Sequence, residues 1–356
     1  TGPLFRVHIV RLGADRHICV CSMHHTITDG WSVGVLLNDV AALYDAFVAG
    51  RANPLAPLAI QYKDFAAWQN RITSGAESDG MRGYWAAKLG GGAPALTLPS
   101  DFARTSAGYV RAVRRFVVDR TLVGQLESTA RHQGATLFMA MLSCIKVLLY
   151  RHTAQQDICV GSPVAGRVHP DLEPQIGAYL NIVALRDTVS GDDTLASVLH
   201  AVRETTLDAF ANQLYPFDRV VEDLRLKRVA GRNPLFDVGF TLQNQNEVQV
   251  RESSRHLRMT DMTRDDEAFE DPEAATDLWF VARNEEGNLS VQVVYNGSLF
   301  RPERVDQWTQ DLLTIVSAAA ANPDTKVKAV PLTAGGAPPS GGRRQAGRKI
   351  TINLGL

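Results

Sequence analysis

The feature that most limits the possible folds is a β-hairpin followed by a sharp turn and a long amphipathic helix near the start of the chain. The opening residues alternate between apolar and polar, turn at Leu12-Gly13-Ala14 and return in a second strand over His17–Met23. Directly after Asp29-Gly30, apolar residues recur at helical spacing up to a closing Gly50. Polar side chains at such a strand-to-helix turn are expected at the exposed end of a sheet.

The rest of the chain alternates helical and strand-like segments, so the predicted fold class is mixed α/β (α+β). A loop rich in Gly and Pro at 90–100 marks the expected boundary between a first unit, 1–98, and a second, 99–334. The Gly/Pro/Ser/Arg/Lys-rich segment 335–356 is predicted to be a flexible basic tail. An acidic stretch over Arg264–Asp277 is predicted to be a loop.

Composition restricts the possible partners. The 356 residues carry 37 Lys+Arg against 38 Asp+Glu, and the pI is about 6.7, which argues against nucleic acid or a membrane surface as a general partner. No uninterrupted apolar stretch approaches the roughly 20 residues of a membrane span, and the first residues show no export signal. We therefore expect a cytoplasmic protein of two subdomains.

Four cysteines are too few for a disulfide framework in a chain of this length. Cys19 and Cys21 share one face of the second predicted strand, and Cys144 and Cys159 fall in apolar segments. All four are predicted to be reduced core residues, in keeping with a cytosolic protein.

The chemistry-bearing segment is His24-His25-Thr26-Ile27-Thr28-Asp29-Gly30, at the junction of strand and helix. Phosphate-loop, dinucleotide-loop and HExxH spacings do not occur in the chain. If the strand continued through the two histidines, adjacent side chains would point to opposite faces and could not share one ion. Because His25 and Asp29 supply only two ligands, we expect no metal.

A histidine exposed at this junction can act as an acid or a base at neutral pH. Asp29 has two possible roles: it could orient an imidazole, as in a catalytic triad, or it could pair with an arginine and cap the helix.

The motif His24-His25-x-x-x-Asp29-Gly30 followed by Trp31-Ser32 resembles the active-site motif of condensation domains from nonribosomal peptide synthetases. These domains belong to the chloramphenicol-acetyltransferase-like acyltransferase superfamily. Further segments resemble the family in its own order: 62–69 (YKDFAAWQ), 157–167 (DICVGSPVAGR), 176–181 (IGAYLN), 215–218 (YPFD) and 232–238 (RNPLFDV). The chain departs from the family at Asn212-Gln213, where His-Gln is usual, and at Asn181-Ile182, where Asn-Thr is usual.

The resemblance implies two related α/β lobes in a V-shaped pseudo-dimer, with the start of the N-terminal lobe missing from this chain. It also implies that donor and acceptor thioesters arrive on the phosphopantetheine arms of two carrier proteins, with no cofactor bound directly. The acceptor amine would attack the donor thioester to form an amide. Neighbouring synthetase domains such as an adenylation domain would be further partners.

The resemblance also assigns roles to individual residues. His25 would be the catalytic or positioning histidine and His24 would support it. Asp29 and Gly30 would support the site, with Arg167 as the candidate partner of Asp29. The substrate channel would be lined by Asn233, Trp31 and Ser32, although core packing is the favoured interpretation for Trp31 and for Trp68.

Two alternatives remain open at this point. An epimerisation domain or an ester-forming acyltransferase of the same superfamily could use the same histidine motif. A non-catalytic condensation-like domain could instead serve as a docking platform, although such domains commonly lose active-site residues that are intact here.

Overall fold

The computed structural model of the chain describes residues 2–76, 78–92, 95–104, 108–226, 232–243, 254–260 and 276–333. The predicted tail and nearly all of the predicted acidic loop lie outside these residues. The strands are β1 (Phe5–Arg11), β2 (His17–Met23), β3 (Arg111–Val118), β4 (Asp157–Val164), β5 (Asn181–Thr188), β6 (Val238–Gln243), β7 (Leu278–Glu285) and β8 (Asn288–Asn296). The helices are α1 (Gly30–Val48), α2 (Tyr62–Ser74), α3 (Ser78–Leu89), α4 (Arg120–His132), α5 (Leu137–Thr153), α6 (Leu195–Ala211), α7 (Phe217–Asp223) and α8 (Pro302–Ala321).

Two sheets organise the described residues. β1 and β2 form the predicted antiparallel hairpin, with Phe5 opposite Met23 and Arg11 opposite His17. The second sheet has six strands in the order β3-β8-β7-β6-β4-β5. Within it β4, β6 and β7 run parallel, and the remaining neighbours are antiparallel. The mixed α/β fold class predicted from the sequence is confirmed.

Two aromatic rings fill the space over glycines in the middle of the six-stranded sheet. Gly161 of β4 lies opposite Gly239 of β6, which in turn lies opposite Trp279 of β7. A Cβ atom on Gly239 would come within 2.3 Å of the Trp279 ring, and one on Gly161 within 2.2 Å of the Phe236 ring. Because only glycine leaves room for these rings, both glycines are needed for the packing of the central strands.

Helices α4, α5, α6 and α8 pack together and against the six-stranded sheet, with α5 at the centre of the core. Every residue from Met139 to Leu149 is buried, which explains why the segment is apolar on all sides. The same core includes Trp85 and Leu89 of α3 together with Leu96 and Leu98. Helix α3 and the segment that ends at Leu98, which the prediction assigns to the first unit, therefore pack in the core of the second unit.

The cysteine prediction is correct for only two of the four residues. Cys144 and Cys159 are buried, and burial raises the pKa of each thiol to about 12. Cys19 and Cys21 are exposed on β2, with their sulfurs 3.8 Å apart. The prediction is wrong for this pair because the described residues leave the two-stranded hairpin largely uncovered.

Helix α1 is unusually apolar for a helix with so much exposed surface. It is 19 residues long with a mean hydropathy of 1.2, which by length and composition alone would suffice to cross a membrane. In the described part of the chain, α4 and α5 meet this criterion only as a joined pair bent by 100°. α1 nevertheless carries Asp39 and Asp45, and Ser32 in its first turn is buried and donates to the Gly177 carbonyl in a loop of the six-stranded sheet.

A buried ion pair joins α5 to the edge strand β5. Lys146 is 0% exposed, and its ammonium group contacts the Asp187 carboxylate and donates to the Leu185 carbonyl at 2.8 Å. Thr205 of α6 also donates to Asp187. The pair and its hydrogen bonds therefore connect three elements of the core. Because both side chains are buried, water cannot take the place of either charged partner.

We expect Lys146→Met to lower the free energy of unfolding by about 3–5 kcal/mol, because Asp187 would then be a buried charge without a counter-charge. Lys146→Met combined with Asp187→Leu should recover much of that loss, since well-packed apolar residues can replace a buried pair. Urea denaturation measures both values, with the exposed Lys328→Met as a control that changes little. A double variant no more stable than Lys146→Met would contradict this account.

Candidate active site

The two histidines lie where β2 ends and α1 has not yet begun. The strand stops at Met23, and His25–Ile27 form a single 3-10 turn. The strand therefore does not continue through the histidines. Both imidazoles are exposed, and in the described part of the chain the His25 ring makes no hydrogen bond or ion pair.

His24 holds the turn together. Its backbone N–H donates to the Leu4 carbonyl at 2.8 Å, which extends the hairpin by one hydrogen bond. Its Nδ1 accepts the backbone N–H of Thr26 at 3.2 Å and lies 2.9 Å from the Thr26 hydroxyl. With Nδ1 accepting, a neutral His24 ring carries its proton on Nε2. Its contacts are those of a residue that supports the turn.

Asp29 is the N-cap of α1 and is only 4% exposed. Its Oδ1 accepts the Ser32 backbone N–H at 2.8 Å, and its Oδ2 accepts the Tyr179 backbone N–H at 3.1 Å. A carboxylate at this position satisfies free N–H groups of the first turn and is favoured by the helix dipole. No hydrogen bond joins Asp29 to either imidazole among the described residues, so its contacts match the capping role and not the triad role.

Arg167, in the connection between β4 and β5, provides the counter-charge. Its side chain is 1% exposed, and its Nη2 lies 3.2 Å from Asp29 Oδ1 and donates to the Ser32 hydroxyl at 2.9 Å. Its Nη1 donates to the carbonyls of Leu172 and, at 2.9 Å, Gln175. The ion pair therefore fastens the start of α1 to a loop of the six-stranded sheet, 138 residues further along the chain.

Tyr179 completes the packing around this pair. Its ring centre lies 4.2 Å from the Arg167 guanidinium carbon, within cation–π range, and its hydroxyl contacts Gln175. Burial raises the pKa of Tyr179 to about 12. Burial, together with the nearby Asp29, also raises the pKa of Tyr62, whose ring meets the Tyr179 ring edge-on at 5.0 Å. Both phenols therefore stay neutral beside the ion pair.

Ser32 does not line a channel, contrary to the sequence-based expectation. It is 0% exposed, and its hydroxyl accepts from Arg167 and from the Gly177 backbone N–H at 3.0 Å. Its single O–H has two acceptors within reach, Asp29 Oδ1 at 2.6 Å and the Gly177 carbonyl at 2.9 Å. The small hydroxyl of serine pairs with all of these polar atoms. Ser32 is buried because the first turn of α1 contacts the loop that carries Gly177.

The sequence around Ser32, Gly-Trp-Ser-Val-Gly at 30–34, matches the GxSxG spacing of hydrolase nucleophiles. In such enzymes the serine stands exposed on an elbow between strand and helix. Here the serine lies inside the first turn of α1, and its hydroxyl is already held by four polar neighbours. Its geometry is that of a structural residue.

The other expected channel residues lie in separate places. Trp31 donates its indole N–H to the Glu173 carbonyl at 2.9 Å and has its ring 5.6 Å from the Arg167 guanidinium carbon, so it packs on the same loop. Asn233 accepts the Leu235 backbone N–H at 3.0 Å and so stabilises its own turn before β6. No hydrogen bond links Asn233 to the histidine turn in the described ranges. Gly30, the first residue of α1, is exposed.

Several residues of the site were not singled out from the sequence. Gly177, Tyr179 and Tyr62 belong to segments that resemble the family, but their pattern alone does not show that they surround an ion pair. A Cβ on Gly177 would come within 2.4 Å of the Tyr62 ring. The described residues contain no group of three or more His, Cys, Asp or Glu side chains arranged to hold a metal ion.

The fold and the site together define a class: mixed α/β proteins in which a two-histidine turn is fastened to the main sheet by a buried Asp–Arg pair. The condensation domain family profile matches residues 1–335 of this chain. The chain therefore belongs to the condensation domain family of nonribosomal peptide synthetases.

Curated relatives agree with this membership. Tyrocidine synthase 3 of Brevibacillus parabrevis is 36% identical over 335 residues, which cover 92% of this chain and 5% of the relative. Gramicidin S synthase 2 of Brevibacillus brevis is 34% identical over 327 residues, covering 92% of this chain and 7% of the relative. The chain thus spans less than a tenth of either of these two relatives.

Solved structures share the fold. The X-domain from teicoplanin biosynthesis matches with a TM-score of 0.82 and 23% identity, covering 93% of this chain and 75% of that one. The first condensation domain of the calcium-dependent antibiotic synthetase, in complex with a substrate analogue, matches with a TM-score of 0.68 and 20% identity. That match covers 93% of this chain and 70% of the other. The chain has the chloramphenicol-acetyltransferase-like fold of these domains.

We expect Arg167→Ala to lower the free energy of unfolding by about 3–5 kcal/mol, because Asp29 would be left as a buried charge without its partner. The matched control is Arg82→Ala, which removes an ion pair to Asp223 whose arginine is 58% exposed and should cost at most about 1 kcal/mol. Chemical denaturation followed by circular dichroism measures the two changes. Equal losses in the two variants would show that the Asp29–Arg167 pair contributes little.

Proposed function

We propose that this chain catalyses amide formation between two thioesters, each carried on the phosphopantetheine arm of a carrier protein. The observation that carries the proposal is the exposed His25 imidazole, which has no described partner and stands on a turn held rigid on both sides. His24 and the hairpin hold it on one side, and the Asp29–Arg167 pair holds it on the other. Membership of the condensation domain family supports the same reaction class.

In the proposed reaction the acceptor amine nitrogen attacks the carbonyl carbon of the donor thioester. The C–N bond forms first to give a tetrahedral intermediate, whose collapse breaks the C–S bond. The nitrogen gives up a proton, and the departing thiolate gains one. Because a thioester is already activated, holding the two groups in attack geometry supplies much of the rate. The protein then has to position the two arms and manage one proton.

His25 is the residue proposed to act on the reacting groups. Its imidazole either accepts the ammonium proton or donates a hydrogen bond to the tetrahedral oxyanion. The two roles differ in the state of the ring that they need. A base must start neutral, whereas a neutral or a charged imidazole can donate a hydrogen bond to the oxyanion.

A docking platform is the second candidate function, and one comparison favours it. The X-domain from teicoplanin biosynthesis has a similar fold, and its complex with OxyB matches this chain with a TM-score of 0.77. A condensation-like domain that recruits another protein is therefore a fold-compatible alternative. The presence of both histidines and of the buried Asp29–Arg167 pair favours catalysis in this chain.

The test is a single-turnover assay with donor and acceptor carriers both loaded, with products read by intact-protein mass spectrometry. The assay uses the full-length natural protein. We expect His25→Ala to slow amide formation by roughly 10²- to 10⁴-fold, the usual contribution of a positioned acid or base. His200→Ala is the matched control, since His200 is an exposed histidine on α6 without a described hydrogen bond.

Three results would change this conclusion. Equal rates for the wild type and His25→Ala would show that positioning alone carries the reaction. Deuterium uptake at the α-carbon of a loaded residue without any acceptor would indicate epimerisation. A folded wild type that forms no amide from several loaded pairs, yet binds a carrier or a tailoring enzyme, would favour the docking platform.

A further inference from the structure

A second acidic residue of α1 binds a loop from the other half of the chain. Asp45 lies near the C-terminal end of α1, and its Oδ1 accepts the Ser254 hydroxyl and the His256 backbone N–H, both at 2.9 Å. Its Oδ2 accepts the Arg255 backbone N–H at 3.1 Å. These four residues are here called the distal pin. Three donors from one loop thus converge on one carboxylate.

The loop side of the distal pin is shaped before it meets Asp45. The Ser254 backbone N–H donates to the Leu257 carbonyl at 2.7 Å, and the Leu257 N–H donates to the Ser254 hydroxyl oxygen at 3.1 Å. In this closed turn the Ser254 hydroxyl and the backbone N–H groups of Arg255 and His256 all face Asp45. Partial desolvation would raise the pKa of Asp45, but the hydrogen bonds from Ser254, Arg255 and His256 outweigh it and lower the pKa.

The topology of the sheet explains why this loop can reach α1. β6 and β7 are parallel neighbours, so β6 ends and β7 begins at opposite ends of the sheet, and the Ser254–Leu257 turn belongs to the connection between them. β4 is parallel to β6, so the connection that carries Arg167 leaves the sheet at the same end. Both loops that contact α1 therefore start at the same end of the six-stranded sheet.

The two contacts lie at opposite ends of α1. Asp29 and Asp45 are 16 residues apart, which is about 24 Å along a helix. Between them Val35 and Ala41 of α1 are buried, and so is Ala46 beside Asp45. The contact at Asp45 adds hydrogen bonds of fixed direction to this packing, so it limits pivoting of α1 about its first turn and, through the continuous backbone, movement of the histidine turn that precedes it.

We propose that the distal pin positions the histidine turn, and that Asp45 is a positioning residue for His25. Its effect on catalysis rests on the function proposed above, whereas its effect on the turn does not. Loss of the pin lets α1 pivot at its first turn. The backbone of the histidine turn, which is continuous with α1, then loosens, and His25 spends less time in attack geometry.

The experiment compares Asp45→Asn with Asp39→Asn. Both variants replace Asp by its isostere on the same helix, and Asp39 has no hydrogen bond or ion pair to a described residue. Hydrogen–deuterium exchange is followed at the amides of Arg255 and His256 and, at the other end of α1, at the amide of Thr26. Ser254→Ala removes the contact from the loop side and serves as a second variant.

For Asp45→Asn we expect about tenfold faster exchange at Arg255 and His256, in line with the loss of hydrogen bonds to a charged group. We also expect exchange at Thr26 to be at least about twofold faster, as a pivoting α1 requires. In the carrier assay kcat should fall about tenfold, with KM for the loaded carriers nearly unchanged, because geometry and not binding is lost. Ser254→Ala should show the same pattern more weakly, and Asp39→Asn should match the wild type.

Unchanged exchange at Arg255 and His256 would overturn the proposal, because the contact would then not hold the loop. Faster exchange at these two amides with unchanged exchange at Thr26 would overturn it as well, because the pin would then be merely local. If the wild type forms no amide at all, the proposed function fails, and exchange at Thr26 alone decides whether the pin positions the turn.

Discussion

The buried pair of Asp29 and Arg167 is the interaction on which the rest of the site depends. It joins the first turn of α1 to the connection between β4 and β5, two parts of the chain 138 residues apart. Because the pair is buried, either charge alone would be strongly unfavourable in this position. Separation of the two segments would expose this cost, so the pair keeps them together. The Ser32 hydroxyl and the Tyr179 backbone N–H satisfy the carboxylate oxygens further, which leaves the contact few alternative geometries.

A consequence is that the histidine turn is held by side chains whose polar atoms are already paired within the protein. His24 uses its ring to close the 3-10 turn, and Asp29 uses its carboxylate to cap the helix that follows. The motif therefore contains one imidazole free to do chemistry, that of His25, and a frame built from its sequence neighbours. For the reaction proposed above this division is sufficient, because correct placement supplies much of the rate and a single proton remains to be handled.

The sequence alone predicts most of the secondary structure but only part of the site. Alternation and helical spacing locate the hairpin, α1 and the strands of the main sheet, because those patterns reflect local burial. The pattern does not show that Ser32 is buried, since that depends on Gly177 and Arg167 arriving from far along the chain. It also fails for Cys19 and Cys21, because an apolar strand is expected to be covered and the described hairpin is not.

The parallel strands β4 and β6 bear on the site through the connections that follow them. Parallel neighbours need long connections, and such connections can reach beyond the sheet. Here the connection between the parallel neighbours β6 and β7 carries the Ser254 turn to the end of α1, and the connection from β4 to its antiparallel neighbour β5 carries Arg167 to the start. A rigid helix fixed at both ends transfers the order of the core to an exposed turn whose own contacts are weak. Because β4 and β6 are parallel, both connections leave the sheet at the same end, and this is how they reach the two ends of one helix.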